Sequence, residues 1–375
     1  HVAPGVAHRA DGGVEADDVM AVAADGGAQQ RGHEDVAQGQ RIEPLPATVV
    51  AEHMLRRTPV AVPQHAQAGA LQALDELWSQ QYGELRQAVA ARVLVNVESP
   101  RELSVLGAAA RELGLPARVA LRVNPDFELK GSGMKMGGGP KQFGIDVEQL
   151  PGVFARIVAE GLQFEGFHLF AGSQNLRAEA ICEAQQKSYE LALRLAAMAP
   201  SPVKFLNLGG GFGIPYFPGE QPLDLAPIGA NLAGIVERAA RDMPGAGIVI
   251  ELGRYFVGEA GVYVTRIVDR KLSRGQVYLV TDGGLNHHLS ASGNFGQVVR
   301  KNYPVTIGNK AGAAEREVAS VVGPLCTPLD LLADRMQLPV AEVGDLAVVF
   351  QSGAYGASSS PQAFLGHPAC VEVLV

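Results

Sequence analysis

No lysine occurs before Lys130 and no phenylalanine before Phe127, in a chain of 375 residues. The first third therefore does not share the composition of the rest. Five of the nine histidines (His1, His8, His33, His53 and His65) crowd into residues 1–85, where Ala, Gly, Val and Gln dominate. Sustained periodicity is missing there too, apart from a helix-like run from Leu71 to Leu85. Two readings of 1–85 stand: a disordered, low-complexity leader, or a wrong-frame translation of GC-rich DNA joined to a genuine chain near Tyr82–Leu85. Resequencing of the encoding DNA separates them, because an uninterrupted frame with an upstream start codon excludes the second.

Other absences narrow the function. Only three cysteines occur, Cys182, Cys326 and Cys370, with no Cys-x-x-Cys and no zinc spacing. That argues for a reduced, cytoplasmic setting over a disulfide framework. No apolar run reaches membrane-spanning length, and no signal peptide is visible. The chain begins at His1 rather than Met, which leaves the true start open. A net charge of -8 with no basic stripe argues against nucleic acid as the main partner. At 47% apolar and 19% charged residues, the chain can bury a sizeable core.

From Arg92 the pattern is regular. Val93–Val97 reads as a buried strand. Ser99, Pro100 and Glu102 open a helix as N-cap, N1 and N3, and Gly114 closes it. Strands follow at 118–123, 164–170, 203–208 and 248–252, with helices at 153–160, 177–198 and 225–243. Alternating short strands and helices predict a parallel sheet with helices outside, able to close as a barrel. After Gly253 the pattern turns to strands, at 262–268, 277–281, 318–322, 346–350 and 371–375. The domain expectation is thus 1–85 atypical, 86–246 α/β barrel and 247–375 all-β.

Five stretches carry chemistry. Gly209, Gly210 and Gly211 follow an apolar strand and expose backbone N–H groups; they form either a phosphate nest or a steric turn. Arg122 precedes a loop bearing Lys130, Lys135 and Lys141, either a solvated surface or a cover over an acidic ligand. His168 and Phe170 share a strand face ahead of Gly172-Ser173, and a strand histidine is often a satisfied core residue. Glu251 and Arg254, three apart, form an ion pair or grip two ends of one ligand. Cys326 and Asp330 sit among turn residues, with Gly353-Ala354-Tyr355-Gly356 beyond, as a pocket wall or a loop of no consequence.

In this order, Arg-Val-Asn-Pro, Gly-Ser, Gly-Gly-Gly-Phe, Glu-x-Gly-Arg, Gly-Pro-x-Cys and Gly-Ala-Tyr resemble the barrel-type (fold type III) pyridoxal-phosphate decarboxylases, which include the diaminopimelate, ornithine and arginine enzymes. Within that group the chain looks most like the exosortase A system-associated decarboxylase family, on residues 132–144, Phe170-Ala171-Gly172-Ser173-Gln174-Asn175 and Cys326-Thr327-Pro328-Leu329-Asp330. The resemblance covers about 86–375. It implies a pyridoxal-phosphate-binding (β/α)8-type barrel, incomplete at its N-terminal side, followed by a C-terminal all-β domain. It implies that Gly209–Gly211, Ser173, Arg254 and Tyr355 hold the cofactor phosphate, and that Glu251 faces the pyridine nitrogen. It further implies an amino-acid-like substrate met by Arg122, and a homodimer in which Cys326 reaches the neighbouring site with Asp330 on the same wall.

Three departures accompany it. Alignment on Gly172-Ser173 puts Phe170 where the polyamine and diaminopimelate enzymes carry a ring-stacking histidine, with His168 one pleat earlier. Cys-Thr-Pro-Leu-Asp does not match the diaminopimelate pattern Cys-Glu-Ser, nor closely the ornithine one, so the substrate stays unnamed. The Schiff-base lysine of the group, in a Tyr-Ala-x-Lys-Ala-Asn strand, should fall before Val93, where this chain has no lysine; Lys204 opens the strand before the glycine run, at the wrong end. A decarboxylase damaged or mis-framed at its start, a non-catalytic pseudoenzyme, and a related pyridoxal-phosphate racemase or other lyase all remain compatible with the sequence.

Overall fold

The computed structural model describes residues 82–127, 134–135, 138–294 and 300–375. The readings of 1–81, and of Lys130 and its neighbours through Gly133, lie outside these residues. The first described element is helix α1 (Tyr82–Ala90). Strand β1 (Leu94–Val97) then leads into helix α2 (Pro100–Leu113). The boundaries of α2 are local chemistry. Ser99 Oγ accepts the Glu102 N–H at 3.4 Å, and Glu102 Oε2 accepts the Ser99 N–H at 3.0 Å. Pro100 fills the first turn without wasting a donor, and Gly114 ends the helix in the left-handed region at φ 63°.

Strands β2 (Arg118–Asn124), β5 (Gln163–Leu169), β7 (Phe205–Asn207) and β8 (Gly247–Val249) join β1 in one parallel sheet of order β1-β2-β5-β7-β8. A short β4 (Ile145–Asp146) pairs with the end of β2, while β3 (Met134–Lys135) lies in a separate two-stranded sheet. Helices α3 (Leu150–Glu160), α4 (Ala178–Ala196) and α5 (Ala226–Asp242) connect the strands. Among the described residues β1 does not pair with β8, and five parallel strands lie on the path where a closed barrel has eight. The parallel sheet also extends past the boundary expected at 246, since Phe205–Asn207 pair with Gly247–Val249.

The sheet has two unlike faces, because side chains alternate along a strand. One face is apolar: Val95, Val97, Val119, Leu121, Phe167, Leu169 and Leu206 are buried with helix residues such as Leu103, Leu106, Ile157, Leu191 and Ile235. Phe154, Phe164 and Phe167 meet there edge to face, with centroids 5.3–6.2 Å apart. The other face is polar. Arg122 pairs with His168 and His168 with Asn207 in register, so the three side chains form a row across β2, β5 and β7. Asn96, opposite Ala120, points the same way.

Beyond helix α6 (Gly253–Val257) comes a six-stranded mixed sheet of order β11-β14-β9-β10-β12-β13. Its strands are β9 (Tyr263–Ser273), β10 (Gln276–Thr281), β11 (Val305–Ile307), β12 (Arg316–Val322), β13 (Leu331–Pro339) and β14 (Leu346–Val349). Only the β10–β12 pair is parallel. Strands β11 and β13 were not expected; β11 is three residues long, and β13 ends in Asp-Arg-Met-Gln-Leu-Pro with an incomplete apolar alternation. The strand expected at Val371–Val375 does not form. An alternating apolar run without a pairing strand leaves its backbone groups to water.

This β domain has its own core, built on Ile267, Leu279, Val321, Leu332, Leu338 and Val349. Ile214 and Tyr216, just after the glycine run, belong to that second core, whereas Phe212 belongs to the first. His288 is 1% exposed, between the rings of Tyr263 and Tyr303 at 5.8 and 5.6 Å. Its Nδ1 accepts the Ala291 N–H at 3.2 Å and its Nε2 lies 3.0 Å from Ser352 Oγ. Burial pushes this imidazole down to about 4.

Candidate active site

The glycine run leaves the carboxyl end of β7 and is pressed between two neighbouring strand ends. A Cβ on Gly210 would stand 2.1 Å from the Glu251 carbonyl oxygen, and one on Gly211 would stand 2.0 Å from that of Gly172. Gly209 has φ 71°, and its Cβ would meet the Leu169 carbonyl at 2.5 Å and Phe170 Cδ2 at 2.9 Å. No side chain fits at any of the three, so the loop needs glycine at each for close approach. The approach joins the loop to Phe170, Ser173 and Glu251. Gly209 O accepts the Glu251 N–H at 3.0 Å, and Gly211 O accepts the Asn175 N–H at 2.8 Å.

Glu251 sits over the polar row. His168, 2% exposed, brings Nε2 to 3.2 Å from Glu251 Oε1. The Asn207 amide donates to the same oxygen at 2.6 Å. Burial raises the Glu251 carboxyl, but the His168 and Asn207 contacts, with the charges of His168 and Arg122, outweigh it and hold the acid below its ordinary range. The site thus keeps an ionised carboxylate, while His168 Nδ1 is buried without a hydrogen-bond partner among the described residues. His168 belongs to this acid pair rather than to the apolar core.

Ser173 lies in the short strand β6 (Gly172–Ser173), paired with the backbone of Met134–Lys135. That pairing brings the backbone of Met134–Lys135 to the edge of the site. The Ser173 Oγ is buried and lacks a protein partner among the described residues. Arg254, on α6, donates from Nη1 to Tyr216 Oη at 2.6 Å, and Tyr355 lies over its guanidinium at 4.4 Å. No carboxylate pairs with Arg254 among the described residues, so its charge is free to meet an anion. Tyr355 holds a left-handed backbone, φ 56°, with its carbonyl accepting from Ser290 Oγ at 2.8 Å and Ser359 Oγ at 2.7 Å.

The remaining candidates lie differently. Arg122 donates to Glu98 Oε1 at 2.7 Å and faces the Phe143 ring at 4.9 Å, so its charge is compensated within the sheet. Asp330 is 3% exposed and accepts backbone N–H groups from Leu285 at 2.6 Å and Leu325 at 2.8 Å. A Cβ on Gly284 or Gly323 would strike its carboxylate. Asp330 is therefore a staple of the β12–β13 loop, and burial raises its carboxyl pKa against those two hydrogen bonds. Cys326 on the same loop is exposed. Lys204 is at the amino end of the strand leading to the glycine run, beside Glu165 at 3.8 Å, as the sequence indicated. Asn207 and Tyr216 were missed. Their roles arise from register and from contact with residues about 40 positions away, and no local motif marks either.

A glycine nest, a buried serine hydroxyl, an uncompensated arginine and an ionised acid at one strand-end rim fit a ligand with a phosphate at one end and a basic ring nitrogen at the other. A family model described as "Pyridoxal-dependent decarboxylase, pyridoxal binding domain" matches residues 78–258. L-glutamyl-(BtrI acyl-carrier protein) decarboxylase of Niallia circulans is 37% identical over 322 residues, covering 84% of this chain and 75% of that protein. Diaminopimelate decarboxylase of Aquifex aeolicus is 32% identical over 295 residues, covering 78% of this chain and 67% of the relative. The crystal structure of Helicobacter pylori diaminopimelate decarboxylase complexed with L-lysine aligns with a TM-score of 0.65 at 27% identity, covering 76% and 68% of the two chains. The chain belongs to the pyridoxal-dependent decarboxylases of the ornithine, arginine and diaminopimelate type, carboxy-lyases built on a parallel-sheet barrel and a separate β domain. Among the described residues no helix is long and apolar enough to cross a membrane.

Proposed function

We propose that this chain takes up pyridoxal 5′-phosphate at the rim described above, and that as written it does so without covalent attachment. The observation that carries the reading is the convergence of the ionised Glu251, the glycine cradle and the uncompensated Arg254. The backbone N–H groups of Gly209–Gly211, the Ser173 hydroxyl, the Arg254 guanidinium and the Tyr355 hydroxyl would hold the phosphate. Glu251 would hold a proton on the pyridine nitrogen, and Phe170, beside Gly209, would lie against the ring. When bound, the cofactor supplies an electron sink for the carbanion left as carbon dioxide departs. The chain's own part is to keep Glu251 ionised, through His168 and Asn207, with Arg122 adding positive field.

The substrate class is an amino acid with a free α-carboxylate. The relatives act, by their names, on diaminopimelate and on a glutamyl group carried by an acyl-carrier protein. Cys326, exposed on its loop, would complete the site of a second copy in a homodimer. The narrower likeness to the exosortase A system-associated family is part of this proposal.

A non-catalytic binding role is the second reading, and it turns on whether a lysine reaches the site, since residues 1–129 hold none. Covalent attachment needs a lysine amine at the aldehyde end of the site. Equilibrium dialysis with pyridoxal phosphate, borohydride treatment and mass spectrometry test this directly. Saturable uptake with no borohydride-stable adduct is expected. An adduct on any lysine overturns the non-covalent reading, and absence of uptake overturns the site. Carbon dioxide release and chiral analysis, on a panel with diaminopimelate, ornithine, arginine and a carrier-bound glutamyl thioester, separate decarboxylase, racemase and binding protein.

A further inference from the structure

Asn207 is a buried side chain, 2% exposed, at the last position of β7. Its two halves face different partners. The amide nitrogen donates to Glu251 Oε1 at 2.6 Å, and the carbonyl oxygen accepts the Gly209 N–H at 2.8 Å. No protein hydrogen bond engages Glu251 Oε2 among the described residues. We propose that Asn207 is a positioning residue that ties the acid of the site to the glycine loop, fixing the separation between the phosphate end and the ring-nitrogen end. The inference rests on the pyridoxal-phosphate reading and deepens it.

The physical case is one of geometry and protonation together. A serine or leucine at 207 cannot span both partners. An aspartate keeps the acceptor for Gly209 and removes the donor to Glu251. With its donor gone, Glu251 stays surrounded by His168 on β5 and by Arg122 on β2, the latter already paired with Glu98. Arg254, three residues on, is engaged with Tyr216. A donor to a carboxylate favours its charged form, so removing it makes Glu251 easier to protonate.

The test uses the full chain and 4′-deoxypyridoxine 5′-phosphate, a cofactor analogue without an aldehyde, so covalent attachment is not an issue. Asn207→Ala should bind it roughly tenfold or more weakly, the loss expected for a hydrogen bond to a charged group. In Asn207→Ala and in Asn207→Asp, the acid limb of the binding profile should move to higher pH. A wild-type limb with weaker affinity at every pH would mean a merely structural residue and would overturn the proposal, as would wild-type affinity with a wild-type limb. Carbon-detected NMR of the Glu251 carboxyl in the ligand-free chain provides a second arm, for which Asn207→Asp suffices if Asn207→Ala does not fold. There the Glu251 titration should move to higher pH in the variant, and an unmoved titration refutes the tie. Failure of the wild-type chain to bind the analogue would refute the pyridoxal-phosphate reading instead, with the NMR arm still deciding on Asn207.

Discussion

Acidifying the solution from pH 7 to pH 4 should cost this fold about 3 kcal/mol through His288 alone. The ring is enclosed by Tyr263 and Tyr303, and its Nδ1 already accepts from the Ala291 backbone. A second proton on Nδ1 would set one donor against another in a site with almost no water. Burial therefore pushes the folded-state value down to about 4, against 6.5 for an ordinary histidine. A depressed histidine makes the unfolded chain the better proton acceptor. Stability is fully present above pH 6.5 and declines as pH falls toward 4, with a slope of up to about 1.4 kcal/mol per pH unit. Glu102 and Asp330, whose carboxyls burial raises, act in the opposite sense over part of the same range. The comparison that isolates His288 is therefore urea unfolding of wild type and His288→Gln at pH 7, 6, 5 and 4. The gap between the two proteins should close, or reverse, by about 3 kcal/mol on going to pH 4. Parallel loss of stability in both proteins would refute the reasoning.

Gly210→Ala should push a methyl into the Glu251 carbonyl, 2.1 Å from its ideal Cβ, costing about 1–3 kcal/mol by thermal denaturation and weakening pyridoxal-phosphate uptake by at least tenfold. Arg254→Gln removes the uncompensated charge while keeping a donor; uptake should weaken by about 2 kcal/mol for the phosphate ester and hardly at all for unphosphorylated pyridoxal, read by isothermal titration. Ser99→Ala should lose about 1 kcal/mol from the α2 cap in urea unfolding, with no change in ligand affinity.

Elements fixed by neighbours in sequence could be read from the chain. Ser99, Pro100, Glu102 and Gly114 set the ends of α2 within a few residues of themselves, and the structure reproduces both ends. The strands of the parallel sheet were legible because each is a short apolar run between helix signals. His168 could be placed in a strand from the apolar run around it, whereas Phe170 falls just past the end of β5. The partner of His168 could not be read, since Glu251 reaches it from beyond the end of β8, far along the chain. Asp330 shows the converse. Its place near Cys326 suggested chemistry, yet the backbone donors of Leu285 and Leu325 that consume its charge are visible only once the loops are folded. The short strand β11 and the unformed strand at Val371–Val375 mark the same limit, because a strand exists only where another strand accepts its backbone.

The segment from Phe212 to Tyr216 is anchored at one end in the core of the parallel sheet and at the other in the core of the β domain. The glycine run just before it, Gly209–Gly211, thus leads into a strap that joins two packed masses. A ligand that grips the strap stabilises both masses with one binding event, in proportion to the logarithm of its concentration. Saturating phosphate-bearing ligand should raise the melting temperature and slow amide exchange in β9 as well as in β5. The β domain then feels the occupant through this strap as well as through Tyr355.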